Sequence, residues 1–216
     1  MTTVLAEPER QTALNPAQRM RSVMAAARVS VHWFGVRKSL TPQQTAQAAD
    51  AFGAEDRFLS AAKKLLDTTH PAFKAVTAVR SRLQSYWKGV SLPFPEPGVR
   101  FVRRDQVEGF AAQMRQFQDE LAESVKNLNG HYGDLQAAAQ QKLGHLYNPA
   151  DYPEVLIGLF SIEFDFPSVE PPNYLQHLNP ELYEQECQRV QRRFDEAIQL
   201  AEDAFIGELS KPLSLS

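Results

Sequence analysis

The chain has one cysteine, Cys187, in 216 residues. A single thiol excludes an internal disulfide framework and suits a reducing compartment. Long apolar runs are also missing: the longest, Val155–Ile162, covers eight positions and includes Gly158 and Ser161. That is far short of the roughly 20 residues a membrane-spanning helix needs. The first residues carry Glu7 and Glu9 and no apolar core, which is not the pattern of a secretory leader. The ten glycines are scattered and form neither a phosphate-binding loop nor a dinucleotide fingerprint. The five histidines, His32, His70, His131, His145 and His177, have no metal-ligand spacing with one another, with the cysteine or with carboxylates. Together these absences lead to the expectation of a cytoplasmic protein with no cofactor, no bound metal and no membrane contact.

What is present describes a folded domain. Hydrophobic residues make up 43% and charged residues 23% of the chain, which is ordinary for a globular protein and too apolar for disorder throughout. The net charge of −3 hides a division: residues 1–104 carry 16 basic and 7 acidic residues, and residues 105–216 carry 7 basic and 19 acidic. Such a split marks either a partner surface or two halves that neutralise each other on folding.

Local signals organise the chain. Residues 1–14 are polar without a sustained period and read as a flexible tail; 15–216 read as a single helical domain. Asn15-Pro16, Thr41-Pro42 and Asn179-Pro180 each join a capping side chain to a proline suited to a first helical turn. Met20, Val23, Met24 and Ala27 predict a helix from the first of these. The second opens a helix to Ala51, and further helices are predicted over 55–67 and 71–88. A small β element is predicted from about 29–35, 90–102 and 159–167, where Val29, Val31 and Trp33 alternate with polar or aromatic neighbours, a Pro/Gly turn separates two extended runs, and Phe160, Ile162, Phe164 and Phe166 alternate with polar residues.

The strongest periodicity is a seam of Val107, Phe110, Met114, Phe117, Leu121, Val125, Leu128, Tyr132, Leu135 and Ala139, spaced by threes and fours. It predicts one long helix, with a break at Asn129-Gly130 as the alternative. A second seam, Tyr183, Cys187, Val190, Phe194, Ala197, Ala201 and Phe205, predicts a long C-terminal helix. Each stripe needs a cover, and the simplest arrangement packs the two helices antiparallel. The expected fold is therefore mainly α: a long, coiled-coil-like antiparallel helical pair with shorter N-terminal helices and a minor β element.

Candidate chemistry is sparse. Glu163 and Asp165 share a face of a predicted strand, where paired-acid or magnesium chemistry competes with a plain solvated surface. His131-Tyr132-Gly133-Asp134 is the nearest approach to a metal cluster, and Cys187 on the seam suits a structural thiol better than a nucleophile. Arg80, Arg82, Lys88, Arg100, Arg103 and Arg104, interleaved with Tyr86 and Trp87, form a candidate basic patch for nucleic acid. Phe164, Phe166, Val169 and Tyr174, in a segment rich in proline and aromatics, form a candidate partner surface that could dock an extended segment or add a strand.

The run Val29-Ser30-Val31-His32-Trp33-Phe34-Gly35-Val36-Arg37-Lys38, the central proline/aromatic block and the Phe160–Pro167 strand ahead of a terminal helix resemble, over about residues 20–210, an uncharacterised family of bacterial and phage proteins. Members of that family are often encoded beside MoxR-type AAA+ ATPases. The resemblance implies an accessory role near such an ATPase and carries over no catalytic residues. The expected function is a non-enzymatic assembly or adaptor protein with a protein partner or self-association. A nucleic-acid-binding accessory protein is the second expectation, and an enzyme resting on Glu163 and Asp165 the third.

Overall fold

The structure, a computed structural model, describes residues 16–209; the tail expected over 1–14 lies outside them. With 61% of residues helical and 14% in strands, the fold is mixed α/β with a four-stranded antiparallel sheet, not the mainly α helical pair expected. The chain divides into two compact units. Unit 1 holds residues up to Arg28, 90–108 and from Asp165 on; unit 2 holds 29–89 and 109–164.

Helix α1, Pro16–Val23, is shorter than its apolar period predicts, because Met24 opens strand β1, Met24–His32. Alanine favours helix in isolation. Here the Met24–Ala27 stretch pairs antiparallel with Arg103–Arg100, and Ala26 and Ala27 are buried, so sheet pairing overrides the local preference. Strand β2, Arg37–Ser39, precedes α2, Pro42–Ala51. A reciprocal cap starts α2: the Gln44 N–H donates to Thr41 Oγ1 at 3.3 Å, and the Thr41 N–H donates to Gln44 Oε1 at 3.0 Å. The helix expected over 55–67 does not form. A 3₁₀ turn at Asp56–Phe58 leads into strand β3, Ala62–Lys64, which pairs antiparallel with β2. Helix α3 follows as Pro71–Gly89, its first turn capped by His70 Nδ1, which accepts the Ala72 N–H at 3.2 Å.

Strands β4, Leu92–Pro93, and β5, Val99–Arg103, form the hairpin around the proline turn, and Gly98 supplies the positive φ of 79° that the turn requires. Helix α4 runs Val107–Gly130 and α5 Tyr132–Leu143, so the single helix expected across this seam is interrupted at His131. Two side chains anchor the interruption: Asn129 Oδ1 accepts the Leu156 N–H at 2.8 Å, and the Tyr132 hydroxyl donates to the Pro153 carbonyl at 3.0 Å. Strand β6, Ser161–Asp165, short helix α6, Tyr174–Leu178, and helix α7, Pro180–Leu209, complete the chain. Asn179 caps α7, its Oδ1 accepting the Leu182 N–H at 3.0 Å. The sheet order is β4-β5-β1-β6. Val29 begins the part of β1 assigned to unit 2.

The expected pairing of the two long helices fails because each stripe finds a different cover. In unit 1, α7 places Val190, Phe194 and Ala197 against Phe94, Val99 and Phe101 of the β4–β5 hairpin and Met24 and Ala26 of β1. Phe194 stacks on Phe101 with centroids 5.2 Å apart and planes 24° from parallel. Glu96 lies between Arg28 and Arg193, at 3.5 and 3.4 Å. In unit 2, α4 has α3 as its antiparallel neighbour. Tyr86, near the end of α3, sits 6.2 Å from Phe110 near the start of α4, while His70, before α3, lies 5.2 Å from His131, after α4. Arg82 pairs with Glu120 at 2.5 Å between them. Phe110 also meets Phe164 of β6 edge-on at 6.3 Å.

Because Phe194 is 1% exposed at the centre of the unit 1 core, Phe194→Ala is expected to cost about 3–5 kcal/mol through lost burial and an unfilled cavity. Phe205→Ala, on a side chain 67% exposed, is expected to cost less than about 0.5 kcal/mol. Urea unfolding of the two variants followed by circular dichroism checks the contrast, and equal effects would contradict this cover for α7.

Candidate functional site

Strands β2 and β3 place Lys38 directly opposite Lys63. Two ammonium groups at facing positions repel. Asp151, from the 3₁₀ turn Pro149–Asp151, resolves this by giving one carboxylate oxygen to each: Lys38 Nζ is 2.6 Å from Oδ1 and Lys63 Nζ is 2.6 Å from Oδ2. The second contact is a close ion pair whose angles are poor for a hydrogen bond. Lys63 also donates to the Leu146 carbonyl at 2.6 Å. Burial makes the arrangement consequential: the side chains of Asp151 and Lys63 are 4% and 6% exposed, against 55% for Lys38. The Lys38 and then the Lys63 ammonium hold the Asp151 carboxyl below its ordinary range.

Tyrosines surround this network. Tyr147 and Tyr152 rings lie 5.0 Å apart, and the buried Tyr152 hydroxyl has no hydrogen-bond partner among the described residues. Burial, reinforced by Tyr147, Asp151 and Tyr132, pushes the Tyr152 phenol up to about 12. Lys63 is held by a hydrogen bond to the Leu146 carbonyl and an ion pair to Asp151. The cluster's chemistry is that of a clamp, tying the segment after α5 to the β2–β3 ribbon. Neither Lys63 nor Asp151 stands out in the sequence; the signal that could have found them is the doubled Lys63-Lys64 in an otherwise apolar stretch.

Beside the clamp, a cleft of about 250 Å³ opens between Lys64–Thr69 and the last turns of α5. Leu65, Leu66, Leu135, Ala139 and Leu143 give it an apolar lining. At its mouth, Asp67 Oδ1 accepts the Thr69 hydroxyl at 2.6 Å and the Thr69 N–H at 3.0 Å, and Lys142 Nζ lies 3.3 Å from Oδ2. These donors, Thr69 foremost, pull the Asp67 carboxyl down to about 2.

The residues expected to form sites disperse. Glu163 faces His32 at 3.6 Å and Asp165 faces Arg28 at 4.0 Å; both carboxylates are more than half exposed, on a solvated strand face. His70 and His131 are close, but Nδ1 of His70 accepts a backbone N–H, which leaves the proton of the neutral ring on Nε2 and no lone pair there for a metal. No group of three or more His, Cys, Asp or Glu suited to a metal ion occurs among the described residues. Cys187 is half-buried on α7, where it raises the Tyr183 phenol.

Five of the six basic-patch residues are engaged internally. In unit 2, the Arg80 guanidinium lies 5.1 Å from the centroid of the Trp33 ring and Arg82 pairs with Glu120, while Lys88 is exposed. In unit 1, Arg100 donates to the Ser91 hydroxyl and carbonyl, Arg103 pairs with Asp105, and Arg104 donates to the Met24 and Arg21 carbonyls. Of the expected partner surface, Phe164 packs on Phe110 in unit 2 and Val169 packs on the unit 1 core, whereas Phe166 and Tyr174 are 40% and 63% exposed. No helix among the described residues is long and apolar enough to cross a membrane. Compared with protein-family models, curated proteins and solved structures, the chain matches none.

Removing the Asp151 carboxylate strands a buried ammonium. Asp151→Ala is therefore expected to cost about 3–5 kcal/mol at pH 7, and Lys38→Gln, at a half-exposed position, at most about 1 kcal/mol. The depressed Asp151 carboxyl adds stability that is complete above the ordinary aspartate range, near pH 4, and is lost as pH falls through its lower folded value. Asp151→Asn should flatten the acid limb of stability against pH. Urea titrations from pH 7 to pH 3 check both, and an unchanged acid limb would contradict the clamp.

Proposed function

We propose that the chain is a non-enzymatic adaptor or assembly protein whose docking surface lies on α6 and the start of α7 in unit 1. The carrying observation is a set of large exposed apolar side chains close together in sequence: Tyr174 and Leu178, one turn apart on α6 and 63% and 76% exposed, and Leu182 in the first turn of α7, 39% exposed. Phe166, also in unit 1, adds a further exposed ring. The same unit buries Phe94, Phe101 and Phe194 almost completely, so it has a formed core and still leaves these side chains in water. Clustered exposed apolar groups of this kind are typical of protein-contact surfaces. The resemblance carried by Val29–Lys38 and Phe160–Pro167 makes a MoxR-type AAA+ ATPase the first partner to test.

Nucleic-acid binding is the weaker reading, because Arg80, Arg82, Arg100, Arg103 and Arg104 already have internal partners. Phosphate contacts would have to compete with these.

A photoactivatable benzoylphenylalanine at Leu178 is expected to give a crosslinked adduct with the co-expressed ATPase, and Leu182→Asp should reduce the adduct at least tenfold without changing the far-UV spectrum. Adducts at equal yield from a probe at Gln199, on the exposed face of α7, would overturn the assignment of the surface. Salt-sensitive retention on DNA or RNA together with no protein adduct would favour the nucleic-acid reading.

A further inference from the structure

The cleft between the Lys64–Thr69 segment and the last turns of α5 is independent of the α6–α7 surface and has chemistry of its own. Its volume of about 250 Å³ falls just below the 300–1,000 Å³ common for drug-sized ligands, which limits an occupant to roughly ten non-hydrogen atoms. Leu65, Leu66 and Leu135 in its lining are 3%, 2% and 5% exposed. They are held by a folded floor, so the occupant must bring an apolar body.

The mouth decides the polar end. It carries two ammonium groups, Lys64 and Lys142, and one carboxylate, Asp67. Asp67 already has three donors, the Thr69 hydroxyl, the Thr69 N–H and Lys142. Its capacity to receive a ligand's donor is largely taken. The cationic donors at the mouth are the two lysines, Lys142 being 69% exposed on its side chain; Thr68 adds a neutral hydroxyl that suits a carboxylate equally. One net positive charge matches a monoanion, and a cationic ligand would meet two like charges.

We propose that this cleft binds a small amphipathic carboxylate, its chain on the leucine floor and its carboxylate between Lys64 and Lys142. The clamp favours a preformed site: Lys63, whose ammonium is fixed by Asp151 and the Leu146 carbonyl, immediately precedes the rim residue Lys64. A preformed wall reduces the ordering cost of binding.

The test uses the full chain with labelled leucine and alanine methyl groups, titrated by NMR with octanoate, 1-octanol and octylammonium. Saturable shifts at Leu135, Ala139 and Leu143 are expected with octanoate, at a Kd of about a millimolar or somewhat tighter for a ligand of this size. Octylammonium should bind at least tenfold more weakly. Ala138→Phe, which fills the cleft from a half-exposed helix position, should abolish the shifts. The double variant Lys64→Glu, Lys142→Glu, altering only exposed rim positions, should invert the preference for octanoate over octylammonium and keeps the test decisive if Ala138→Phe does not fold. Three outcomes overturn the proposal: no saturable shift with octanoate, equal affinity for octanoate and octylammonium, or octanol binding as tightly as octanoate. The last would assign the cleft to an uncharged apolar group such as a partner's leucine side chain.

Discussion

Everything in this fold answers to one constraint: two long amphipathic helices each carry an apolar stripe that water cannot be left to cover. Helix α4 has 24 residues and α7 has 30, which at about 1.5 Å per residue gives rods near 36 and 45 Å. Pairing them with each other would satisfy both stripes at once, but would leave α3 and the β4–β5 hairpin with apolar faces and no place to bury them. Phe73, Val76, Val79 and Leu83 of α3 form a stripe as regular as that of α4, and Phe94, Val99 and Phe101 of the hairpin form a fourth apolar surface. With four surfaces needing cover, each long helix takes a separate partner. The stripe on α7 outruns its cover: Val190, Phe194 and Ala197 are buried, and Phe205, two turns further on, is not.

Charge follows the same division. The first 104 residues are basic and the rest acidic, and the two sets meet repeatedly inside the molecule. In unit 1, Arg21 pairs with Glu170 and Arg28 with Asp165. In unit 2, Lys38 and Lys63 share Asp151, and Arg82 pairs with Glu120. Most of these pairs are partly exposed and each adds little stability. What they do is set register: opposite charges at these positions reward one alignment of basic and acidic segments and penalise others. The Lys38–Asp151–Lys63 group is the exception in strength, because two of its three side chains are withdrawn from water.

Legibility in the sequence tracked how local each cause is. Helices α2 and α3, the start of α7 and the β4–β5 turn were readable because Thr41-Pro42, Asn179-Pro180 and Gly98 act within a few residues. Met24–Ala27 reads as helix on its own and becomes strand because Arg100–Arg103 lies beside it. Residues 62–64 likewise join Arg37–Ser39 across more than twenty residues of chain. The seam from Val107 to Ala139 was correctly seen as one apolar stripe; one helix was the first expectation, and the observed interruption at His131 adjoins the alternative break at Asn129-Gly130. Periodicity reports which side is buried and does not register a one-residue interruption pinned by Asn129 and Tyr132. The basic patch is ambiguous for a related reason: a run of arginines looks the same in sequence whether its partners are phosphates or the carbonyls of Met24 and Arg21.

The clamp and the cleft share a segment, and this is why a buried ion pair persists where an apolar core would serve stability as well or better. Replacing Lys38, Lys63 and Asp151 with hydrophobic residues of similar volume could hold the segment after α5 against the ribbon, but without orienting it. A carboxylate with one oxygen committed to each lysine fixes Asp151 in direction as well as position. The Leu146 carbonyl, taken by the same Lys63, fixes a second point five residues earlier. The backbone from Lys63 into Leu65 and Leu66 then leaves the clamp at a set angle, and those leucines line the cleft together with Leu135, Ala139 and Leu143. Directional polar contacts thus orient the cleft wall in unit 2, while in unit 1 Phe94, Phe101 and Phe194 fill space around α7. Unit 1 leaves Tyr174, Leu178 and Leu182 exposed, and in unit 2 the oriented charge stands at the edge of a cleft.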